Sequence, residues 1–228
     1  MSRYLVAGSR PWSREVFDAV IRTYPGVWRF AAGPEQLTLP KLRRFKPDAI
    51  FFLHWSWKVP SEIVSHFVCI GFHMTDLPYG RGGSPLQHLI LRGHRRTKLS
   101  AFRLTSAFDA GPIYAKQDLS LAGSAQDIYE RASRLAARMI RHLIRRPLAP
   151  KPQQGTPVVF ARRRPEDSQV PSLRSLERLK DFIRMLDADG YPRAFVEAEG
   201  FRFEFSRASR KNGALRANVT ITPVKSAA

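Results

Sequence analysis

Two short runs of this chain hold the residue types that acid–base chemistry needs. Residues 71–87 read GFHMTDLPYGRGGSPLQ, and residues 108–113 read FDAGPI. His73 follows a continuous apolar run. An imidazole just past a strand end can face a crevice and move protons, or it can serve as a structural hydrogen-bonding group. Pro78, Gly80, Gly82 and Gly83 form a loop whose backbone can approach a ligand closely. That loop lacks the GxGxxG and Walker A spacings, so neither a dinucleotide nor a triphosphate cradle is indicated. Asp109 sits in a tight turn, where a carboxylate can act on a neighbour or merely close an Asx-turn. It lies 36 residues beyond His73, enough for a helix and a strand to return to the same sheet edge.

The surrounding pattern must position those two residues. Residues 4–7, 28–31, 49–53 and 67–72 predict strands, and residues 36–44, 61–65 and 86–91 predict helices. A further helix is expected with Ser13 as its cap and Val16, Phe17, Val20 and Ile21 on one face. Residues 49–53 are apolar throughout, as in a strand covered on both faces. Two more strands are expected at 99–104 and 113–119. Ser124 caps a long helix, with Asp127 three residues later completing a capping box. The alternation predicts an α/β, Rossmann-like fold: an open, mostly parallel sheet with helices on both faces. Pro147, Pro150, Pro152 and Pro157 then break the pattern. The expected organisation is a catalytic domain over 1–146, a Pro/Arg-rich linker over 147–170 and a small C-terminal α+β module over 171–228. That module holds a helix at 173–186 and antiparallel strands at 194–196, 201–205 and 217–221. It is too small for an independent core.

Taken in order, the two motifs resemble the 10-formyltetrahydrofolate-dependent formyltransferase superfamily. That family has a loop of the type NxHPSLLPxxRGxxP followed by a DxGxI turn. The matching residues are His73, Leu77, Pro78, Arg81, Gly82 and Pro85, then Asp109, Gly111 and Ile113. The resemblance covers about residues 1–165. HMTDLPYGRGGSPLQ looks most like a branch that N-formylates amino sugars in bacterial glycan synthesis, and the tail from Asp181 to Phe195 is similar to that branch too.

The resemblance implies a folate-dependent enzyme. An unprotonated amine attacks the formyl carbon of 10-formyltetrahydrofolate, and a tetrahedral oxyanion forms and collapses. His73 and Asp109 are the implied catalytic pair, with Asp109 orienting the imidazole. The family's Asn, two residues before the His, is Gly71 here. A backbone N–H, Gln87 or His54 is expected to replace it as oxyanion donor. The implied cofactor loop includes Trp55, Ser56, Trp57 and Val59, whose tryptophans offer flat walls or are ordinary core aromatics. Tyr79, Arg81 and Gly82 border the space where folate and acceptor meet. Arg81 and Arg10 could meet a phosphate or form structural ion pairs, and Gln87 borders the substrate.

Composition narrows the partners. Lys plus Arg number 38 against 19 acidic residues, a formal charge of +19 that suits an anionic ligand or reflects compositional bias. At 43% hydrophobic and 25% charged, a disordered or fibrous chain is excluded. Cys69 is the one cysteine, which excludes an intrachain disulfide and a Cys-based zinc site. No metal is expected. No run reaches the length of a membrane span, no secretory signal opens the chain, and a cytoplasmic location is expected. The expected acceptor is a nucleotide-linked amino sugar. Methionyl-tRNA ranks second, because tRNA enzymes carry a larger C-terminal barrel and no nucleic-acid motif is present. A formyl-folate hydrolase or a non-catalytic folate- or RNA-binding protein is the remaining alternative. The tail permits a homodimer.

Overall fold

The computed structural model describes residues 1–224. It divides into two compact units. One comprises residues 1–82, 97–119 and 129–159, and the other residues 83–96, 120–128 and the chain from Phe160 on.

In chain order the first unit begins with β1 (Arg3–Gly8), α1 (Pro11–Ala19), β2 (Val27–Ala31), α2 (Leu39–Phe45), β3 (Ala49–Leu53), α3 (Ser61–His66) and β4 (Cys69–His73). After β5 (Tyr79–Gly82) and α4 (Pro85–Leu91) come β6 (Arg96–Arg103), β7 (Ile113–Ser120), α5 (Ala125–Arg145) and β8 (Val158–Phe160). The central sheet has the order β2-β1-β3-β4-β6-β7. β1 runs parallel to β2 and β3, and β3 runs parallel to β4. β6 is antiparallel to β4, so the sheet is mostly, not wholly, parallel. All five residues of β3 are buried, as the unbroken apolar run requires. On one face Leu5, Ala7, Ile50 and Phe52 pack with Leu42, Phe45, Ile63 and Cys69. Each large side chain there contributes about 1.5–3 kcal/mol by leaving water. Burial also pushes the Cys69 thiol up to about 12.

Ser13 is not the cap of α1. The helix starts at Pro11, whose fixed φ suits a first turn, and Arg10 is the N-cap residue, with no side-chain capping hydrogen bond. Ser13 is buried one turn in, and its hydroxyl donates to the Leu53 carbonyl at 3.1 Å.

The second unit contains α4, α6 (Leu176–Arg184), β9 (Ala194–Ala198), β10 (Phe201–Lys211) and β11 (Ala214–Pro223). The last three form an antiparallel sheet in the order β11-β10-β9. Ser175 caps α6 by accepting from the Arg178 N–H, and Ser124 and Asp127 form the expected reciprocal capping box before α5. The C-terminal residues do not rely on their own small core. Buried Arg184 pairs with buried Asp181 at 2.6 Å and donates to the carbonyls of Leu121 and Gly123. Gln87 of α4 donates to the Met185 carbonyl at 3.0 Å. The unit therefore recruits earlier stretches of chain, which a boundary at residue 171 leaves out.

Candidate active site

β4 delivers His73 to the carboxyl edge of the sheet, where the register with antiparallel β6 sets it opposite Ser100. The chain then turns through a loop fixed from several sides. Ser100 Oγ donates to the Thr75 carbonyl at 2.7 Å, and Lys116 Nζ donates to Asp76 Oδ1 and the Leu77 carbonyl. This loop returns at β5 and places the Gly80 carbonyl 2.7 Å from His73 Nε2. A carbonyl can only accept, so Nε2 carries a hydrogen. The other ring nitrogen, Nδ1, lies 3.8 Å from Asp109 Oδ2. Both side chains are largely sheltered, at 11% and 14% exposure. Asp109 Oδ2 also accepts the Gly82 N–H at 2.9 Å.

The turn bearing Asp109 can sit this close because residue 111 is glycine. A Cβ there would lie 1.7 Å from the Arg103 carbonyl oxygen, an impossible approach. Arg103 in turn donates its N–H to the Pro112 carbonyl, tying the turn to the end of β6.

Arg81 and the Asp109 turn share a partner that sequence reasoning missed. Gln153 Oε1 accepts from Arg81 Nε at 3.1 Å and Nη2 at 2.7 Å. Gln153 Nε2 donates to the carbonyls of Asp109 at 2.9 Å and Gly111 at 2.8 Å. The segment read as a linker over 147–170 is thus bonded into the site. Lys151 bridges Ile113, and the Val158 N–H donates to the Pro78 carbonyl. Its prolines suppress regular structure but leave side chains and remaining N–H groups free to bond.

A second group lies along the same sheet edge, after β1 and β3. The β3–β4 register ends with Phe52 opposite Gly71, and His54, the first residue after β3, leaves the extended conformation with a φ of 49°. His54 Nε2 lies 3.0 Å from Ser133 Oγ, which donates to the Tyr129 carbonyl, so the histidine donates here. Burial, with the Arg10 charge second, pushes His54 down to about 4. Ser9 Oγ bonds both the His54 carbonyl and Ser56 Oγ, linking the two loops. Trp55 and Trp57 meet edge to face at 4.9 Å, with Trp57 46% exposed. The Trp55 indole N–H is buried without a hydrogen-bond acceptor among the described residues. A flat exposed ring beside an unsatisfied donor fits a heteroaromatic ligand such as a pterin. Trp55 and Val59 also pack on the core cluster, so the loop is partly structural.

The structure does not bring every expected residue to this edge. Gln87 is 3% exposed, and its amide is engaged by Met185, which leaves it unsuited to replace the family's Asn. His54 is held by Ser133. Tyr79 opens β5, with its N–H bonded to the Asp76 carbonyl. At Gly71 a Cβ would lie 2.8 Å from Leu104 Cδ2 and 2.9 Å from Phe102 Cε1. An apolar wall therefore stands where the amide side chain would emerge. Among the described residues no cluster of His, Cys, Asp and Glu could hold a metal, and no helix is long and apolar enough to cross a membrane.

Residues 165–222 match the family model described as "Methionyl-tRNA formyltransferase, C-terminal domain". The methionyl-tRNA formyltransferase of Sinorhizobium medicae is 26% identical over 167 residues, which is 69% of this chain and 53% of that protein. The chain thus spans about half the length of the curated relatives it matches. A structure titled "Methionyl-tRNA formyltransferase from Clostridium thermocellum" is 41% identical with a TM-score of 0.95, covering 98% of this chain and 100% of that one. A 4-N formyltransferase from Francisella tularensis superposes with a TM-score of 0.67 at 13% identity over 98% of this chain and 97% of that one, a likeness of fold alone. These findings overturn the expected amino-sugar acceptor and its place in glycan synthesis. The small tail misled: it matches the methionyl-tRNA formyltransferase C-terminal model, and a chain of that name covers the same extent. The relatives are named for a nucleic-acid substrate, although the absence of a nucleic-acid motif and of a large C-terminal barrel ranks such a partner low from sequence. Sequence and fold agree that the chain belongs to the formyltransferase family that includes the methionyl-tRNA formyltransferases.

Proposed function

We propose that this protein transfers the formyl group of 10-formyltetrahydrofolate to the amine of an aminoacyl-tRNA, with methionyl-tRNA as acceptor. The observation that carries the reading is the end-to-end likeness to a structure of that name at 41% identity, and this chain's own sheltered His–Asp pair is in keeping with it. The bound folate supplies an electrophilic formyl carbon. Trp55, Ser56 and Trp57 would hold it. His73 takes up the proton lost by the amine at Nδ1, because Nε2–H is engaged by Gly80. The new N–H then faces the Asp109 carboxylate, which stabilises it electrostatically, and the same proton would return to the nitrogen of the departing tetrahydrofolate as the formyl C–N bond breaks.

An RNA acceptor also accounts for surface charge. On α5, Arg134, Arg138, Arg141 and Arg145 are all exposed and recur every three or four residues. They share one helix face about 16 Å long. Glu130, paired with Arg134, is the acidic neighbour. Such a stripe suits a phosphodiester backbone. The reading carries with it a cytoplasmic location.

Gly71 favours a second reading, in which formyl-folate is hydrolysed or bound without transfer. Loss of one oxyanion donor costs roughly 100- to 1000-fold in rate. Incubation with labelled 10-formyltetrahydrofolate and methionyl-tRNA separates the two. Labelled formyl-methionyl-tRNA at a rate well above the enzyme-free control supports transfer. Free formate, or stoichiometric folate binding with neither product, supports the second reading and removes the first.

A further inference from the structure

We propose that Gln153 is a positioning residue that sets the geometry of the His73–Asp109 pair by locking the β5 loop to the Asp109 turn. The inference rests on the reading of His73 and Asp109 as the reacting pair. The Asp109 carboxylate meets β4 only at its last residue, His73, and its hydrogen bond is to the loop, at Gly82. Its known partners are His73 and the Gly82 N–H, so its aim depends on where its turn sits relative to β5. Asp109 and Gly82 are 27 residues apart, and Asp109 has a positive φ of 48°, a conformation that non-glycine residues adopt at some cost.

Gln153 touches both sides of this arrangement. One amide oxygen receives two hydrogens of the Arg81 guanidinium, and both amide hydrogens go to the carbonyls that flank Ala110. The amide is therefore saturated in the only orientation that serves both partners. Reversing it would set two hydrogens against Arg81 and an oxygen against two carbonyls. Arg81 lies between Gly80, which holds His73 Nε2, and Gly82, which holds Asp109 Oδ2. A single side chain thus reaches, through one residue on each side, both halves of the pair. Displacements near 1 Å in such a geometry can cost about 100-fold in rate.

The test compares Gln153→Glu and Gln153→Ala with the wild-type chain. Glu keeps an oxygen for Arg81 but donates no hydrogens to the turn. Both variants should keep a cooperative melt. In both, hydrogen exchange at the Gly82 amide should accelerate at least about tenfold, since the Asp109 carboxylate is no longer held in place. This arm needs no substrate, so it stands even if the proposed acceptor is wrong. With a working formyl-transfer assay, kcat should fall about ten- to a hundredfold while KM for the folate changes little. Unchanged Gly82 exchange in both variants would overturn the proposal. So would wild-type exchange and kcat in Gln153→Glu alone, because the Arg81 tether would then suffice without the turn. A parallel rise in KM with unchanged kcat would also overturn it, by making Gln153 a binding residue.

Discussion

His73 Nε2 stands 2.7 Å from the Gly80 carbonyl, and this one contact divides the ring into two unequal halves. The Nε2 side is anchored to backbone, while the Nδ1 side looks toward Asp109 at 3.8 Å. Under the proposed function, the proton lost by the amine goes to Nδ1. His73→Ala, which removes that nitrogen, should lower kcat by at least about 100-fold. Asp109→Asn should also lower it, because an Asn keeps an oxygen for the Gly82 N–H but loses the charge. Circular dichroism should remain native in both. Turnover within a few-fold of wild type in either variant contradicts the assigned chemistry.

His54 couples stability to pH. Its value of about 4 in the folded chain lies below the ordinary histidine value of 6.5, chiefly through burial. The unfolded chain then binds a proton that the folded chain refuses. Stability should be intact above pH 6.5 and fall as pH drops toward 4, by about 2 kcal/mol at pH 5. Urea melts at pH 7 and pH 5 check this, with His54→Gln as the control. An equal pH dependence in that variant would remove His54 as the cause.

Restoring the family's Asn should not restore a donor. In Gly71→Asn the new side chain must displace Leu104 and Phe102, since even a Cβ approaches them within 3 Å. Overpacking of this kind costs about 1–3 kcal/mol. A lower melting temperature with no gain in formyl transfer is expected. A gain in rate would show that the pocket accepts an amide and that the apolar wall yields.

The arginine stripe on α5 makes a separate prediction about salt. Replacing Arg138, Arg141 and Arg145 with Gln should weaken tRNA binding and make the plot of log K against log salt shallower by about 2–3. Fluorescence anisotropy with labelled tRNA between about 50 and 200 mM salt measures the slope. The same slope as wild type would assign the stripe to solvation alone.

Much of the scaffold is legible in the amino-acid pattern. The apolar run at residues 49–53 corresponds to β3 residue for residue, because a strand covered on both faces tolerates no polar side chain. His73 and Asp109 stand out because each follows an identifiable strand or turn signal. Three features resist such reading. β5 has the sequence YGRG, whose glycines carry no strand signal, and its partners lie far along the chain. Gln153 sits among prolines that advertise an extended linker, and its contacts lie 42 to 72 residues away. The acceptor is not legible in tail length, because relatives of one name differ in size.

The burial of Cys69 has a practical consequence. A thiol held near 12 is protonated throughout the physiological range, and thiolate is the form that alkylating agents and peroxides attack. The native chain is therefore chemically silent toward maleimides and mild oxidants while it remains folded. A cysteine introduced at an exposed position, such as Arg145 on α5, could be labelled selectively without first removing the natural one. Reaction of Cys69 itself would then serve as an internal clock for local opening at the start of β4.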